Sequence, residues 1–100
     1  MTAQIAIPQK EIAEFCRRHN IRKLSLFGSV LRDDFGPDSD VDVLVEFKPT
    51  ARLSLFDFVD IQEELGDLFE HKVDLIEASA LRNPFRRHEI MRTQQIIYAA

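Results

Sequence analysis

Three aspartates in apolar, strand-like segments are the residues of this sequence best suited to chemistry. Asp40 and Asp42 begin an alternation of acid with Val or Leu, and Asp74 interrupts the apolar run 73–76. Aspartate is depleted in strands, and side chains two residues apart on a strand point to the same face. Asp40 and Asp42 can therefore share a divalent cation such as magnesium, which combines carboxylates with substrate phosphates. Asp74 becomes a third ligand, or the base for an attacking hydroxyl, if its strand lies beside theirs.

A Gly-Ser turn upstream of these acids is a candidate phosphate site. Gly28 follows a predicted strand, and a glycine lets the backbone approach a phosphate closely. The Ser29 hydroxyl and the N–H groups that open the next helix can donate to phosphate oxygens. Arg32, predicted one helical turn further on, either reaches a phosphate or pairs at the surface with Asp33 or Asp38.

Each of these signals also has a purely structural interpretation. An acidic alternation occurs on the wet face of a sheet, and most Gly-Ser dipeptides are ordinary turns. Ser39, which precedes the first acid, bonds either a nucleotide or its own loop. The combination of a Gly-Ser turn with aspartates in two separate strands favours metal-assisted phosphoryl or nucleotidyl transfer.

Hydrophobic periodicity and turn residues predict the elements that would carry these side chains. Helices are expected at 8–20, 29–35, 54–69 and 83–92, and strands at 22–27, 40–47 and 72–76. Ser54 and Asp57 have the spacing of a capping box, and the Asn-Pro pair at 83–84 suits another helix start. Segment 95–99 extends the last helix or forms an edge strand, and its Ile-Ile-Tyr run favours the strand. The order predicts an α/β (α+β) domain in which helices pack on a small mixed sheet.

The combined pattern resembles the signature of the DNA polymerase beta-like nucleotidyltransferase superfamily. That signature is Gly-Ser, a short gap that includes arginine, and then Ser-Asp-x-Asp followed by a hydrophobic residue. The residues that carry the resemblance are Gly28, Ser29, Arg32, Ser39, Asp40, Val41 and Asp42. The small size is similar to that of the minimal branch, the MNT domain proteins. Family members often have Ala-Arg-Gly after the turn, whereas this sequence has Leu-Arg-Asp.

The resemblance implies specific roles for these residues. Asp40, Asp42 and Asp74 would bind Mg²⁺, as two ions, and Gly28 and Ser29 would hold the nucleoside triphosphate. Arg32 and Ser39 complete the predicted nucleotide site. The minimal branch is similar to the antitoxin of HEPN/MNT toxin–antitoxin pairs, which implies transfer of AMP from ATP to a tyrosine of a cognate HEPN ribonuclease toxin. Two alternatives stay open, an antitoxin that acts by direct binding without catalysis and a nucleotidyltransferase for a small-molecule or RNA hydroxyl.

Composition limits the other classes of function. The 100 residues are 45% hydrophobic and 30% charged, which predicts one domain over residues 1–100. A net charge of -4 makes nucleic acid an unexpected direct partner, although four arginines make the last segment basic: Arg82, Arg86, Arg87 and Arg92. Cys16, the single cysteine, lies in a helical pattern and is expected to pack in the core.

The sequence also predicts the cellular compartment of the protein and where a partner could bind. One cysteine permits no internal disulfide, the N-terminus lacks the features of a signal peptide, and no apolar run approaches the roughly 20 residues of a membrane span. A cytoplasmic protein with no membrane contact is therefore predicted. A protein with a dedicated partner should expose an apolar patch, and segment 96–98 is the best candidate, although core packing or an edge strand is favoured for it.

Overall fold

A computed structural model describes residues 3–100 as three α-helices around one four-stranded sheet. The elements are α1 (Gln9–Arg18), β1 (Ile21–Phe27), β2 (Val41–Phe47), α2 (Leu55–Phe69), β3 (Val73–Glu77), α3 (Pro84–Thr93) and β4 (Gln95–Ala99). Short 3-10 turns follow β1 at Gly28–Leu31 and β3 at Ala78–Ala80. Segment 95–99 is thus a strand, as its β-branched and aromatic residues predict. No helix within this part of the chain is long and apolar enough to cross a membrane.

The sheet is mixed, with strand order β3-β2-β1-β4. β1 runs antiparallel to both β2 and β4, while β2 and β3 are parallel and are joined through α2. A parallel pair needs a crossover of this kind, because a tight turn can only reverse the chain. The predicted mixed α+β architecture is confirmed.

The two faces of the sheet carry different layers. On one face the valines of β2, Val41, Val43 and Val45, are fully buried in the main core with residues of α1 and α2. On the other face Leu44 packs in a smaller cluster with Ile90 of α3. Side chains alternate along a strand, so Asp42 lies on the same face as Leu44. The alternation of acid with valine therefore separates the core from the face that carries the predicted site.

Local sequence chemistry sets where α2 and α3 begin. Ser54 Oγ accepts the Asp57 N–H at 3.1 Å, and Asp57 Oδ2 accepts the Ser54 N–H at 2.9 Å, which is the predicted capping box. Asn83, the residue just before α3, accepts through its Oδ1 the N–H groups of Phe85 and Arg86 in the first turn of that helix. These side chains satisfy backbone donors that the helices cannot satisfy internally.

Two local predictions are wrong in their bounds. The helix expected at 29–35 is only the 3-10 turn Gly28–Leu31, in which the Arg32 N–H reaches the Ser29 carbonyl at 2.9 Å. Strand β2 begins at Val41, so Asp40 lies just before it and is exposed.

Segment 96–98, the best sequence candidate for an exposed apolar patch, does not form one. Ile97 is buried and Tyr98 packs against the main core, which leaves Ile96 about half exposed on edge strand β4. The favoured interpretation of this segment, core packing on an edge strand, is therefore correct. Larger exposed apolar side chains lie elsewhere, at Phe56 of α2 and Phe85 of α3, which are 81% and 85% exposed.

Candidate active site

Two of the three predicted acids lie side by side on neighbouring strands. Parallel pairing of β2 with β3 makes Asp42 and Asp74 register partners. Paired residues on adjacent strands lie about 5 Å apart and point to the same face. Asp42 is partly buried and Asp74 is exposed, so the pair is open to solvent on one side. The condition placed on Asp74, that its strand must neighbour that of Asp42, is met.

The Gly-Ser turn borders the same carboxylate. Antiparallel pairing places Phe27, the last residue of β1, opposite Asp42, and Gly28 follows with a φ of 76°. A Cβ added to Gly28 would collide with Asp42 Oδ2 and lie 3.3 Å from Asp42 Cγ. A side chain at this position is therefore excluded both by backbone conformation and by space.

The acids act on one another electrostatically. The pKa of Asp42 is raised above its usual range, first because burial removes water from the carboxylate, and then because Asp74 and Asp40 are negative. Arg86 and Arg32 act in the opposite direction and lower it. The site thus holds a concentration of negative charge that neighbouring cations offset only in part.

These residues fit a magnesium site that the substrate completes. Within residues 3–100, no three acidic, histidine or cysteine side chains are arranged to hold a metal ion by protein ligands alone. Magnesium is commonly bound through one or two carboxylates together with phosphates and water. A carboxylate pair beside a glycine turn, with Asp40 close enough to act on Asp42, supplies that donor set.

The remaining predicted nucleotide-site residues surround the turn. Ser29 lies within the 3-10 turn and is partly buried. Ser39 Oγ accepts the Gly36 N–H at 3.1 Å, which gives this hydroxyl a structural role in its loop. Arg32 pairs with Asp34 at 3.4 Å, instead of with the predicted Asp33 or Asp38, and its side chain is more than half exposed. The nucleotide-binding roles of these residues stay predictions.

A cavity and a second arginine adjoin the site, and sequence reasoning did not assign them to it. A cavity of about 290 Å³ lies between the 3-10 turn and α3, with Gly28 and Arg32 on one side and Arg86 on the other. The Asn-Pro signal does predict that Arg86 lies in the first turn of α3. The packing of that turn against the face of the sheet that carries Asp42 could not be predicted, because it depends on tertiary contacts.

Other reactive residue types have structural roles. Cys16 is fully buried, and this burial raises the pKa of its thiol to about 12, so it stays protonated and packs as an apolar residue. His19 Nε2 lies 3.0 Å from Glu64 Oε1, and the ring of His71 lies against Phe35. The burial of Cys16 agrees with the prediction that it packs in the core.

Comparison with known proteins decides the family. The family model described as a nucleotidyltransferase domain matches residues 9–97. The chain belongs to the nucleotidyltransferase domain family. The predicted enzyme class, nucleotidyltransferase, is therefore confirmed, as is the resemblance stated from the Gly-Ser and Asp-x-Asp pattern.

Named relatives share much of the length of this nucleotidyltransferase. Protein adenylyltransferase MntA of Thermococcus cleftensis is 37% identical over 75 residues, which cover 75% of this chain and 71% of that protein. A Methanocaldococcus jannaschii protein, named as a candidate protein adenylyltransferase, is 31% identical over 96 residues, covering 88% of this chain and 94% of its own.

Solved structures share the fold. A structure described as a candidate minimal nucleotidyltransferase superposes with a TM-score of 0.71 at 29% identity, covering 87% of this chain and 86% of that one. A structure described as a toxin–antitoxin with AMP-PNP gives a TM-score of 0.72 at 16% identity, covering 94% of this chain and 75% of the other. At 16% identity the second likeness concerns the fold alone.

Proposed function

We propose that this nucleotidyltransferase is a cytoplasmic antitoxin that transfers AMP from ATP to a tyrosine hydroxyl of a cognate HEPN toxin. The observation that carries the proposal is the pairing of Asp42 with Asp74 directly beside the glycine turn. The names of relatives support the acceptor class. One is called protein adenylyltransferase MntA, and a structure of the same fold is described as a tri-AMPylated Shewanella oneidensis HEPN toxin in complex with MNT antitoxin.

The proposed reaction is an in-line displacement at the α-phosphate. The acceptor oxygen forms a bond to the α-phosphorus, and the bond to the oxygen that bridges to the β-phosphate breaks. The electron pair of that bond leaves with pyrophosphate. The acceptor proton passes to the carboxylate of Asp74, which is exposed on edge strand β3, where an acceptor from another molecule can approach.

The protein contributes position and charge. Asp40, Asp42 and Asp74 would hold magnesium, which neutralises the triphosphate when it is bound. Gly28 gives the phosphates close access to the backbone, and the Ser29 N–H and hydroxyl donate to their oxygens. The proposed catalysis then depends on alignment of the acceptor with the α-phosphate rather than on a covalent intermediate.

The test follows the label from the α-phosphate. The protein is incubated with magnesium, ATP labelled on the α-phosphate and the HEPN protein encoded beside its own gene. We expect label on the HEPN protein, lost when its acceptor tyrosine is changed to phenylalanine. The double variant Asp40→Asn, Asp42→Asn should lower the rate by at least about 100-fold, because the metal ligands are lost. Asp38→Asn, an exposed loop acid outside the predicted site, is the matched control.

Other outcomes identify the alternatives. If the double variant still silences the toxin in a tight complex, the protein acts by direct binding, and the proposed activity is wrong. If label enters RNA or a small molecule while the HEPN protein stays unlabelled, the acceptor assignment is wrong. ATP labelled on the γ-phosphate should give no labelled protein, since that phosphate leaves with pyrophosphate.

A further inference from the structure

We propose that Arg86 acts with Arg32 as a two-arginine clamp on the β- and γ-phosphates of the bound nucleotide. The clamp would neutralise the pyrophosphate as it leaves. This inference rests on the proposed function and adds a residue of α3, which lies outside the family signature described above, to its machinery.

The two arginines lie at the same cavity from different elements. Arg32 follows the 3-10 turn, and Arg86 lies in the first turn of α3, so each wall of the cavity of about 290 Å³ contributes an arginine to its lining. The positive charges of both arginines lower the pKa of Asp42. They are therefore within electrostatic reach of the acid that borders the proposed α-phosphate position.

Within the described residues, the guanidinium of Arg86 makes neither an ion pair nor a hydrogen bond, unlike those of Arg87 and Arg92 on the same helix. Arg87 Nη1 donates to the Ala78 carbonyl at 2.9 Å, and Arg92 Nη2 pairs with Glu89 at 2.7 Å. Glu89 also lines the cavity, and its pair with Arg92 is about as exposed as the pair of Arg32 with Asp34, so its negative charge stands against the two arginines of the same lining. Arg32 is held only by an exposed pair with Asp34, and such pairs are weak. Both clamp residues are thus available to an anion.

The order of the phosphates in ATP indicates that the anion between the two arginines is the β- and γ-phosphate group. The bond that breaks is at the α-phosphate, which must lie at the carboxylate pair. The Gly28 turn is the predicted site of the triphosphate, and the cavity opens beside that turn, so we place the remaining phosphates there. Pyrophosphate gains negative charge as it leaves, and arginine is the side chain suited to phosphate oxygens because it stays ionised and donates two parallel hydrogen bonds.

The backbone of Arg86 is positioned before any ligand binds. Its N–H donates to Asn83 Oδ1 at 3.2 Å, and Ile90, one turn further along α3, is buried against Leu44 and Phe27. The first turn of α3 is therefore fixed against the sheet. Only the side chain of Arg86 has to adjust to the phosphates.

The test compares nucleotides that differ in their phosphates. Dissociation constants for ATP, AMP and inorganic pyrophosphate are measured by calorimetry, with magnesium and again with a chelator. Arg86→Gln should weaken ATP and pyrophosphate binding about 10-fold or more, as loss of a charge-assisted hydrogen bond does, and AMP binding less than about 3-fold. Arg86→Lys should restore part of the loss. Arg82→Gln removes the same charge from an exposed position just before α3 and should leave all constants unchanged.

The controls separate this inference from the proposed function. ATP binding by Arg86→Gln within twofold of the unmodified protein, or equal losses for ATP and AMP, would overturn the clamp while the proposed function stands. Failure of the unmodified protein to bind any nucleotide with magnesium would contradict the proposed function itself. If Arg86→Gln does not fold, Arg86→Lys is compared with the unmodified protein, and the clamp predicts that loss of the guanidinium donors weakens ATP and pyrophosphate binding more than AMP binding.

Discussion

The carboxylate of Asp42 occupies the space that a side chain at Gly28 would need. This contact joins the two halves of the family signature, which are separated in sequence by the loop before β2. Gly28 is therefore required for two reasons, its positive φ and the closeness of an acid. The predicted phosphate turn and the strand that carries the predicted metal ligand Asp42 are therefore in direct contact, and neither can be altered independently of the other.

Alanine at Gly28 should damage both folding and nucleotide binding. Its methyl group would collide with Asp42. The backbone at this position has a positive φ, which costs of order 1–3 kcal/mol for residues other than glycine. We expect the free energy of unfolding in urea to fall by about that amount and ATP affinity to fall as well. Gly36→Ala is the control, because a Cβ there meets nothing within 4 Å. Equal stability of the two variants would contradict the proposed crowding.

Asparagine at Asp42 should stabilise the protein at neutral pH. The raised pKa of Asp42 means that its ionised form is less favourable in the folded than in the unfolded state. Its destabilising effect is absent below the unfolded pKa of about 4 and is complete above the folded value. Asp42→Asn should therefore have a higher Tm than the unmodified protein at pH 7 and the same Tm near pH 3. A lower Tm at pH 7 would show that the carboxylate helps to hold the fold.

Divalent cations should relieve the same repulsion. Addition of magnesium with ATP should raise the Tm of the unmodified protein, and a ligand at 100 times its Kd contributes about 2.7 kcal/mol. Asp42→Asn and Asp74→Asn should reduce this increase strongly. Potassium chloride at matched ionic strength, which only screens charge, is the control. An increase of the same size with potassium would exclude a specific cation site.

Gln62 of α2 should position Asp74. Its Oε1 accepts the Leu75 N–H at 2.9 Å, next to Asp74 on edge strand β3. Gln62→Leu leaves that donor without its partner, and we expect a loss of about 1–2 kcal/mol in stability together with slower AMP transfer. Gln62→Glu retains an acceptor oxygen and should keep most of the activity. Slow transfer in both variants would show that the hydrogen bond is not what matters at this position.

Much of the fold follows from local interactions. The alternation around Asp42, the capping pair Ser54 and Asp57, and the Asn83 helix start are each decided by residues within one turn or a few strand positions of one another. Such signals are visible in sequence because the partners are close along the chain. The bounds of the turn after Gly28 were less predictable, since a 3-10 turn and a short α-helix begin with the same residues.

By itself, the sequence determined the family, the kinds of chemical group available and the faces on which β2 presents them. The tertiary structure alone decided which groups meet. Parallel pairing of β2 with β3 sets Asp42 beside Asp74 across more than thirty residues of chain, and the packing of α3 brings Arg86 to the same acid. Register and helix docking depend on the burial of whole faces, so no local pattern around Asp74 or Arg86 specifies the partner that each will have.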